Sequence, residues 1–400
     1  MATAFCENAA VPRYDAIVVG AGPAGSTCAY RLASAGASVL LLDRARFPRD
    51  KPCGGGVTGR AERLLPFSIA PVVEDTVTSV RMRLRFGSWF ERGDGEPLVL
   101  MTQRIRLDAY LAERAVDAGA ELRDGVKVTG VAAGPDGAEV MAGAERLQAE
   151  TVIGADGVNG ICARELGLGG NQAVGVALEG NVPYERLGEG YRGVAVLELG
   201  VVPGGYGWVF PKGDHANVGL GGWEREGPRL RGSLGALCAA HGVSTADLEG
   251  VRGYRLPLRS PRSTLACGRA ALVGDAAGLV DPVSGDGMFE GFLSARLAAD
   301  AVLDILAGRA EGLEPYGDRL TRQLGTHLWA SWGVKAALDR FPRTTFRIAR
   351  SRVVWRTVEK LVRGEIEDVS RARGLARPPL KALAALARAA GDPGGAYRQA

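Results

Sequence analysis

Between Tyr14 and Asp43 the apolar period of the chain changes twice. Asp15-Ala16-Ile17-Val18-Val19 is a short apolar run, helical spacing carries from Gly25 to about Ala35, and Ser38-Val39-Leu40-Leu41-Leu42 is a second apolar run. That pattern predicts strand, tight turn, helix and parallel strand, a single βαβ unit. Thr76 to Leu100 alternates polar and apolar residues and reads as antiparallel strands. Leu107 to Gly119 has helical spacing, with Leu107, Leu111, Ala115 and Ala118 on one face. Val126 to Val131 and Glu139 to Ala142 read as short strands. Thr151-Val152-Ile153 is a buried strand running into Gly154-Ala155-Asp156-Gly157.

Ala173 to Gly222 is again strand-rich, with turns at Pro203-Gly204-Gly205 and Lys212-Gly213-Asp214. Ala270-Ala271-Leu272-Val273 is a parallel-type strand ending at Gly274-Asp275, and a helix follows from about Gly287 to Leu306. From Pro315 onward the pattern is mostly helical, with a break at Pro378-Pro379 before a Leu380-Leu383-Leu386 stripe. The fold class expected is α/β (α+β overall), a Rossmann-like domain with an inserted antiparallel-sheet domain and a helical C-terminal region. The Rossmann-like domain is discontinuous, from residues 1–75, 101–165 and 265–310. The inserted sheet domain takes 76–100 and 166–264, and the helical region 311–400.

Composition narrows this picture in three places. Four hundred residues, 46% hydrophobic and 24% charged, suit a soluble globular chain with a full core. Six scattered cysteines with no CxxC pair, and three histidines, argue against a metal site and for reduced thiols in the cytoplasm. No apolar stretch approaches the ~20 residues that span a bilayer, and the N-terminus lacks a signal-peptide pattern. Net charge is +4, but Arg340 to Arg388 holds 13 Lys/Arg against 4 Asp/Glu. This basic region is either a solvated helical surface or a peripheral contact with anionic lipid at the cytoplasmic membrane face. Nothing in the pattern points to nucleic acid.

Gly20-x-Gly22-x-x-Gly25, with Pro23 and Ala24 inside it, lies between a strand and a helix. There the glycines allow a tight turn, backbone approach to a pyrophosphate and close helix–strand packing. Asp43, followed by Arg44, ends the second strand 18 residues after Gly25 and is placed for a ribose diol. A carboxylate at Gly274-Asp275 can accept a ribityl hydroxyl, and Gly154-Ala155-Asp156-Gly157 is a third strand-end glycine–aspartate turn. Together these resemble FAD-dependent oxidoreductases of the aromatic-hydroxylase type, over roughly residues 14–305. That resemblance places Arg104 beside a flavin; a structural ion pair is the alternative. No second GxGxxG unit has the required flanks.

Pro48-Arg49-Asp50-Lys51-Pro52-Cys53-Gly54-Gly55 fits PxxxxCGG, and Tyr206-Gly207-Trp208-Val209-Phe210-Pro211 with Gly219-Leu220-Gly221 fits YxWxFPx7GxG. Both motifs resemble the geranylgeranyl reductase family, flavoenzymes that saturate double bonds in polyprenyl chains. Asp281-Pro282-Val283-Ser284-Gly285-Asp286-Gly287 is similar to that family's stretch after the glycine–aspartate motif, where Glu is commoner than Asp286. The resemblance implies FAD, reduced by NAD(P)H or a ferredoxin-type electron carrier, and a prenylated lipid, quinone, pigment or isoprenoid diphosphate as substrate. It implies cofactor contacts from Gly20, Gly22, Pro23, Ala24, Gly25, Asp43, Arg44, Cys53, Gly54, Gly55, Arg104, Asp156, Gly274, Asp275, Gly285, Gly287 and Met288.

Cys53 is the candidate catalytic residue, a weak acid that protonates one alkene carbon as hydride reaches the other; the alternative is a small residue shaping the pocket. Tyr206, Trp208 and Phe210 share one strand face and would line a substrate tunnel or serve as sheet core. Lys212 and His215, on the adjoining turn, are expected to be solvated. The competing activity is a flavin monooxygenase or halogenase, which needs neither motif; the Trp-x-Trp-x-Ile-Pro segment expected of a halogenase is absent.

Overall fold

The computed structural model describes residues 13–170, 172–259, 263–367 and 377–391. The predicted βαβ unit forms as β1 (Arg13–Val19), α1 (Pro23–Ser34) and β2 (Val39–Leu42), with β1 and β2 parallel. Further strands join it: β8 (Glu121–Arg123), β11 (Glu145–Gly154), β17 (Ala266–Cys267) and β18 (Ala270–Leu272). Their order is β17-β18-β11-β1-β2-β8, and β9 (Val128–Gly134) and β10 (Gly137–Ala142) form an antiparallel flap on β11. β1 is therefore central, and its Ala16, Ile17 and Val18 are fully buried. The helices α1 and α7 (Met288–Leu306) pack on this sheet, with Tyr316, Leu320 and Leu324 of α8 (Glu314–Arg340) in the same core.

A second sheet of seven strands runs β16-β12-β15-β14-β13-β5-β6. Its members are β5 (Ser79–Leu84), β6 (Trp89–Arg92), β12 (Ala173–Pro183), β13 (Val194–Leu199), β14 (Tyr206–Lys212), β15 (His215–Trp223) and β16 (Glu249–Leu258). One face carries Val182, Val196, Val209, Val218 and Leu220 and is closed by Leu230, Leu234 and Leu237 of α6 (Leu230–Ala240). Alternation along the strands gives the other face Tyr206, Trp208, Phe210 and Glu179.

Two expectations need refining. Thr76 to Leu100 does pair antiparallel, β5 with β6 and Val73–Val77 with Val99–Thr102, but its strands lie in two sheets and not in one. Its β5 pairs parallel with β13, while β4 (Val73–Val77) and β7 (Val99–Thr102) form a separate small sheet with β3 (Gly56–Thr58). Alternation reports which residues share a face, not which strand is the neighbour. The boundary expected at Pro378-Pro379 falls one residue earlier, since both prolines lie in the first turn of α11 (Arg377–Ala389), where missing N–H groups cost nothing. The remaining short helices are α2 (Gly59–Glu62), α4 (Cys162–Glu165) and α5 (Tyr184–Leu187). On the β5–β6 side, Phe346 of α9 (Pro342–Ala349) and Trp355 of α10 (Arg352–Val362) pack on Phe90 and Leu199.

Candidate active site

The glycine turn fits a dinucleotide sterically and electrically. Gly20 has φ +105°, and a Cβ there would lie 2.4 Å from the Ala155 carbonyl oxygen. One on Gly25 would sit 1.8 Å from the Gly20 oxygen, so helix and strand touch through these two residues. No side chain caps the N-terminus of α1 and no acid lies in its first turn. Two guanidiniums approach instead, Arg49 Nη2 at 3.5 Å and Arg104 Nη2 at 4.0 Å from a Cβ built on Gly22. Uncapped N–H groups, the helix dipole and two cations form a site for a diphosphate.

Asp43 Oδ2 accepts the Ala21 N–H at 2.9 Å and Oδ1 the Ala45 N–H at 2.9 Å, which fixes the acid at the end of β2. Arg104 is buried and doubly bonded to Asp108, at 2.6 and 2.7 Å; Arg49 reaches the same carboxylate at 2.6 Å. The ion-pair alternative for Arg104 is thus realised, with the guanidinium beside the glycine turn. Asp275 Oδ2 accepts from Lys51 Nζ at 2.8 Å. Burial raises its pKa, but the Lys51 charge and hydrogen bond and the Arg104 charge outweigh that and hold the carboxyl below its usual range. Gly287 starts α7 directly against Asp275: a Cβ there would be 3.2 Å from Asp275 Oδ1. Met288 packs in one apolar cluster with Leu107, Leu111 and Phe292, against which Cys53 rests. Asp156 is turned inward, its Oδ2 accepting the N–H groups of Ile161 and Cys162 at 2.6 and 2.9 Å.

The Cys53 loop is fastened along its length. Asp50 pairs with Arg252 of β16, Lys51 with Asp275, and the Gly55 carbonyl accepts from Thr102 N–H at 2.8 Å and Oγ1 at 2.9 Å. The Cys53 N–H donates to Glu179 Oε1 at 2.6 Å, and Lys212 Nζ donates to the Cys53 carbonyl at 2.6 Å. Lys212 is consequently not solvated: it is 6% exposed, and burial draws its pKa below the ordinary lysine value. His215, on the same turn, pairs with Asp214 at 2.7 Å. Glu179 is 5% exposed, its Oε2 accepts from Tyr254 Oη at 3.1 Å, and burial raises its pKa. Cys53 is partly exposed. By contrast, burial pushes the Cys28 thiol up to about 12 and the Cys238 thiol to about 11.

The aromatic stripe runs from this loop to the start of α7. Phe210 lies on Gly54, where a Cβ would meet its ring at 3.0 Å. Trp208 stacks on Phe210 with centroids 6.0 Å apart and donates Nε1–H to Asn217 at 2.7 Å. Tyr206 donates to the Ser284 carbonyl. Tyr206 and Trp208 stand directly opposite Gly221 and Gly219 of β15, so the two glycines of the spaced motif leave room for the two larger rings. The structure thus brings together the loop of Cys53, Gly54 and Gly55, Arg104, Asp275, Gly287 and the stripe. Of the other expected cofactor residues, Pro23 and Ala24 open α1, and Arg44 follows Asp43 on an exposed turn. Gly274 opens the 3-10 turn Gly274–Ala277 that follows β18, and Gly285 (φ +67°) turns the segment before α7.

A buried acid cluster adjoins α7. Asp281, Glu290 and His327 offer ligand atoms within 4.8 Å of one another. Arg60 Nη1 lies 3.2 Å from His327 Nε2, a fixed positive charge that opposes a metal ion at that nitrogen. His327 Nε2 is 3.2 Å from Asp281, whose Oδ2 also accepts from Ser331. Glu290 is fully buried, neither of its oxygens has a hydrogen-bond partner among the described residues, and burial drives its pKa well up.

Sequence reasoning missed Glu179, Lys212 and this cluster. The available signals were an acid inside the apolar run Ala173–Pro183 and a lysine two residues beyond Phe210, on the same strand face.

Residues 13–186 match the model of an FAD binding domain. The chain is 34% identical over 324 residues to a geranylgeranyl diphosphate reductase of Rhodobacter capsulatus, covering 74% of this chain and 76% of that one. It is 30% identical over 394 residues to a menaquinone reductase of Mycolicibacterium smegmatis, covering 91% and 95%. Among solved structures, a geranylgeranyl bacteriochlorophyll reductase-like protein of Thermoplasma acidophilum superposes with TM-score 0.75 at 21% identity, over 97% of this chain and 98% of that one.

Proposed function

The chain belongs to the geranylgeranyl reductase family of FAD-binding oxidoreductases, and we propose that it saturates carbon–carbon double bonds of a polyprenyl chain. The observation that carries the reading is the contact of Gly54 with Phe210, which joins the CGG loop to the YxWxFP strand. A thiol therefore stands at the end of an apolar aromatic stripe, beside the candidate dinucleotide cradle. Neither element is required for oxygen chemistry.

FAD, bound and reduced, would be the source of hydride for one alkene carbon. An isolated alkene accepts hydride poorly unless a proton reaches the other carbon, and Cys53 is the group proposed to deliver it. The thiolate left behind regains its proton from solvent, so each turn adds one hydride and one proton, two mass units per bond. Gly20, Gly22, Gly25 and Asp43 would hold the nucleotide, Arg49 and Arg104 its phosphates, and Asp275 with the start of α7 the ribityl side. Tyr206, Trp208 and Phe210 line the path of the prenyl chain and keep water from the alkene. The substrate is a prenylated lipid, quinone, pigment or isoprenoid diphosphate, and the donor is NAD(P)H or a ferredoxin. The nucleotide-binding segments, the seven-stranded sheet and the C-terminal helices are taken as three units.

Anaerobic turnover tests this reading. Photoreduced, FAD-loaded protein should be reoxidised by geranylgeranyl diphosphate or a prenylated quinone, with a two-dalton gain per bond, and Cys53→Ala should retain FAD while losing most of that turnover. Reoxidation by oxygen alone, with hydroxylation of an aromatic substrate, would overturn the reading.

A further inference from the structure

We infer that Glu179 and Lys212 are positioning residues that aim the Cys53 thiol, one holding its N–H and the other its carbonyl. This rests on the role proposed for Cys53. Both contacts are 2.6 Å long, and they fall on the two backbone polar groups of the same residue. Fixing the donor on one side of a Cα and the acceptor on the other fixes φ and ψ there, and so the direction of the Cα–Cβ bond. Gly55 beyond it is fastened as well, its carbonyl by Thr102 and its N–H to Cys53 Sγ at 3.4 Å, so the segment after the thiol does not undo this hold.

Both clamp residues come from the seven-stranded sheet, Glu179 from β12 and Lys212 from the end of β14. Lys212 is the fourth member of the series Tyr206, Trp208, Phe210, Lys212 on one strand face, so the strand that carries the aromatic stripe also carries the anchor. Burying an acid and a base this deeply is costly unless each is bonded, and an apolar pair would fill the same space at less expense. A backbone pinned by two charged side chains is the return for that cost. The other groups facing the thiol are Arg104 of α3 (Arg104–Asp117) and Tyr254 of β16, which also holds the second oxygen of Glu179. Asp50 with Arg252, and Lys51 with Asp275, flank the loop as ion pairs.

The test uses FAD-loaded full-length protein. Glu179→Ala and Lys212→Met should keep their flavin and lower kcat for alkene reduction by about tenfold to a hundredfold, the scale of a small misplacement at a reacting centre. Glu179→Gln, which keeps an acceptor oxygen in place, should recover most of the activity that Glu179→Ala loses. Iodoacetamide labelling of Cys53 at fixed pH, followed by peptide mass spectrometry, gives a second readout. Loss of either anchor, in Glu179→Ala or Lys212→Met, should change the labelling rate, and Glu179→Gln should restore it. The inference is overturned if Glu179→Ala and Lys212→Met turn over at the wild-type rate, or if Glu179→Gln is as defective as Glu179→Ala. Full turnover by Cys53→Ala would instead remove the proton-donor role, leaving the labelling rates to test the clamp.

Discussion

Trp208 lies flat across Gly219. The two are direct partners on β14 and β15, and a Cβ on Gly219 would fall 2.4 Å from Trp208 Cζ2 and 2.7 Å from Glu179 Cβ. Gly219→Ala should therefore lift the indole off the sheet, at a cost of about 1–3 kcal/mol for overpacking. Because Trp208 stacks on Phe210, which seats Gly54, the loss should reach the Cys53 loop. Flavin content should stay near wild type while alkene turnover falls. Unchanged turnover in a folded variant would show that the stripe is only core.

Gly25→Ala places a methyl 1.8 Å from the Gly20 oxygen, between helix and strand. The expected outcome is folded protein without bound flavin, seen as loss of the yellow chromophore after gel filtration. Retention of stoichiometric FAD would mean that the turn opens without cost.

Asp108 accepts from two nitrogens of Arg104 at once. Asp108→Ala leaves that guanidinium buried without its counter-charge, which should destabilise the fold by about 3–5 kcal/mol. Urea denaturation of the FAD-loaded protein measures it. A loss under about 1 kcal/mol would mean that water replaces the carboxylate.

Glu290 supplies a pH signature. Burial raises its carboxyl pKa in the folded chain, so the fold favours the protonated form. Stability from this group is fully present below the unfolded glutamate value, about 4.3, and is lost as pH rises through the raised folded value. Glu290→Gln keeps the neutral shape and should flatten that decline, read as Tm against pH from 4 upward. An unchanged profile would show that Arg60 and His327, 3.9 and 3.7 Å away, hold the carboxylate charged.

The outer faces of α9 and α10 carry exposed Arg343, Arg347, Arg352, Arg356 and Lys360, while Phe346, Val354 and Trp355 turn inward. Among the described residues no helix is long and apolar enough to cross a membrane. Flotation with vesicles containing anionic phosphatidylglycerol should recover the protein at low salt and lose it at high salt. Failure to float at any salt concentration would leave these cations as solvated surface.

The nucleotide-binding half was legible because its signals are local. Period, turn glycines and a strand-end acid all lie within Tyr14–Asp43, and α1 ends one residue before the expected Ala35. The thiol clamp was not legible, because Glu179 and Lys212 are 126 and 159 residues from Cys53 and meet it only through sheet register. Lys212 looked solvated because a turn glycine follows it, yet its place on the aromatic face decides its burial. Likewise His327 reaches Asp281 across helix packing that no spacing reports.

The strand order also bears on how the chain is made. Strand β1 emerges first, but its neighbour β11 ends at Gly154 and β18, beside β11, at Leu272. Strand β5 must likewise wait for β13, more than 100 residues later. During synthesis β1 can pair at once with β2, and β5 with β6, but each keeps one edge open until its distant partner has been made. Folding should be slow, dominated by distant pairings, and sensitive to chaperone supply when the protein is overproduced.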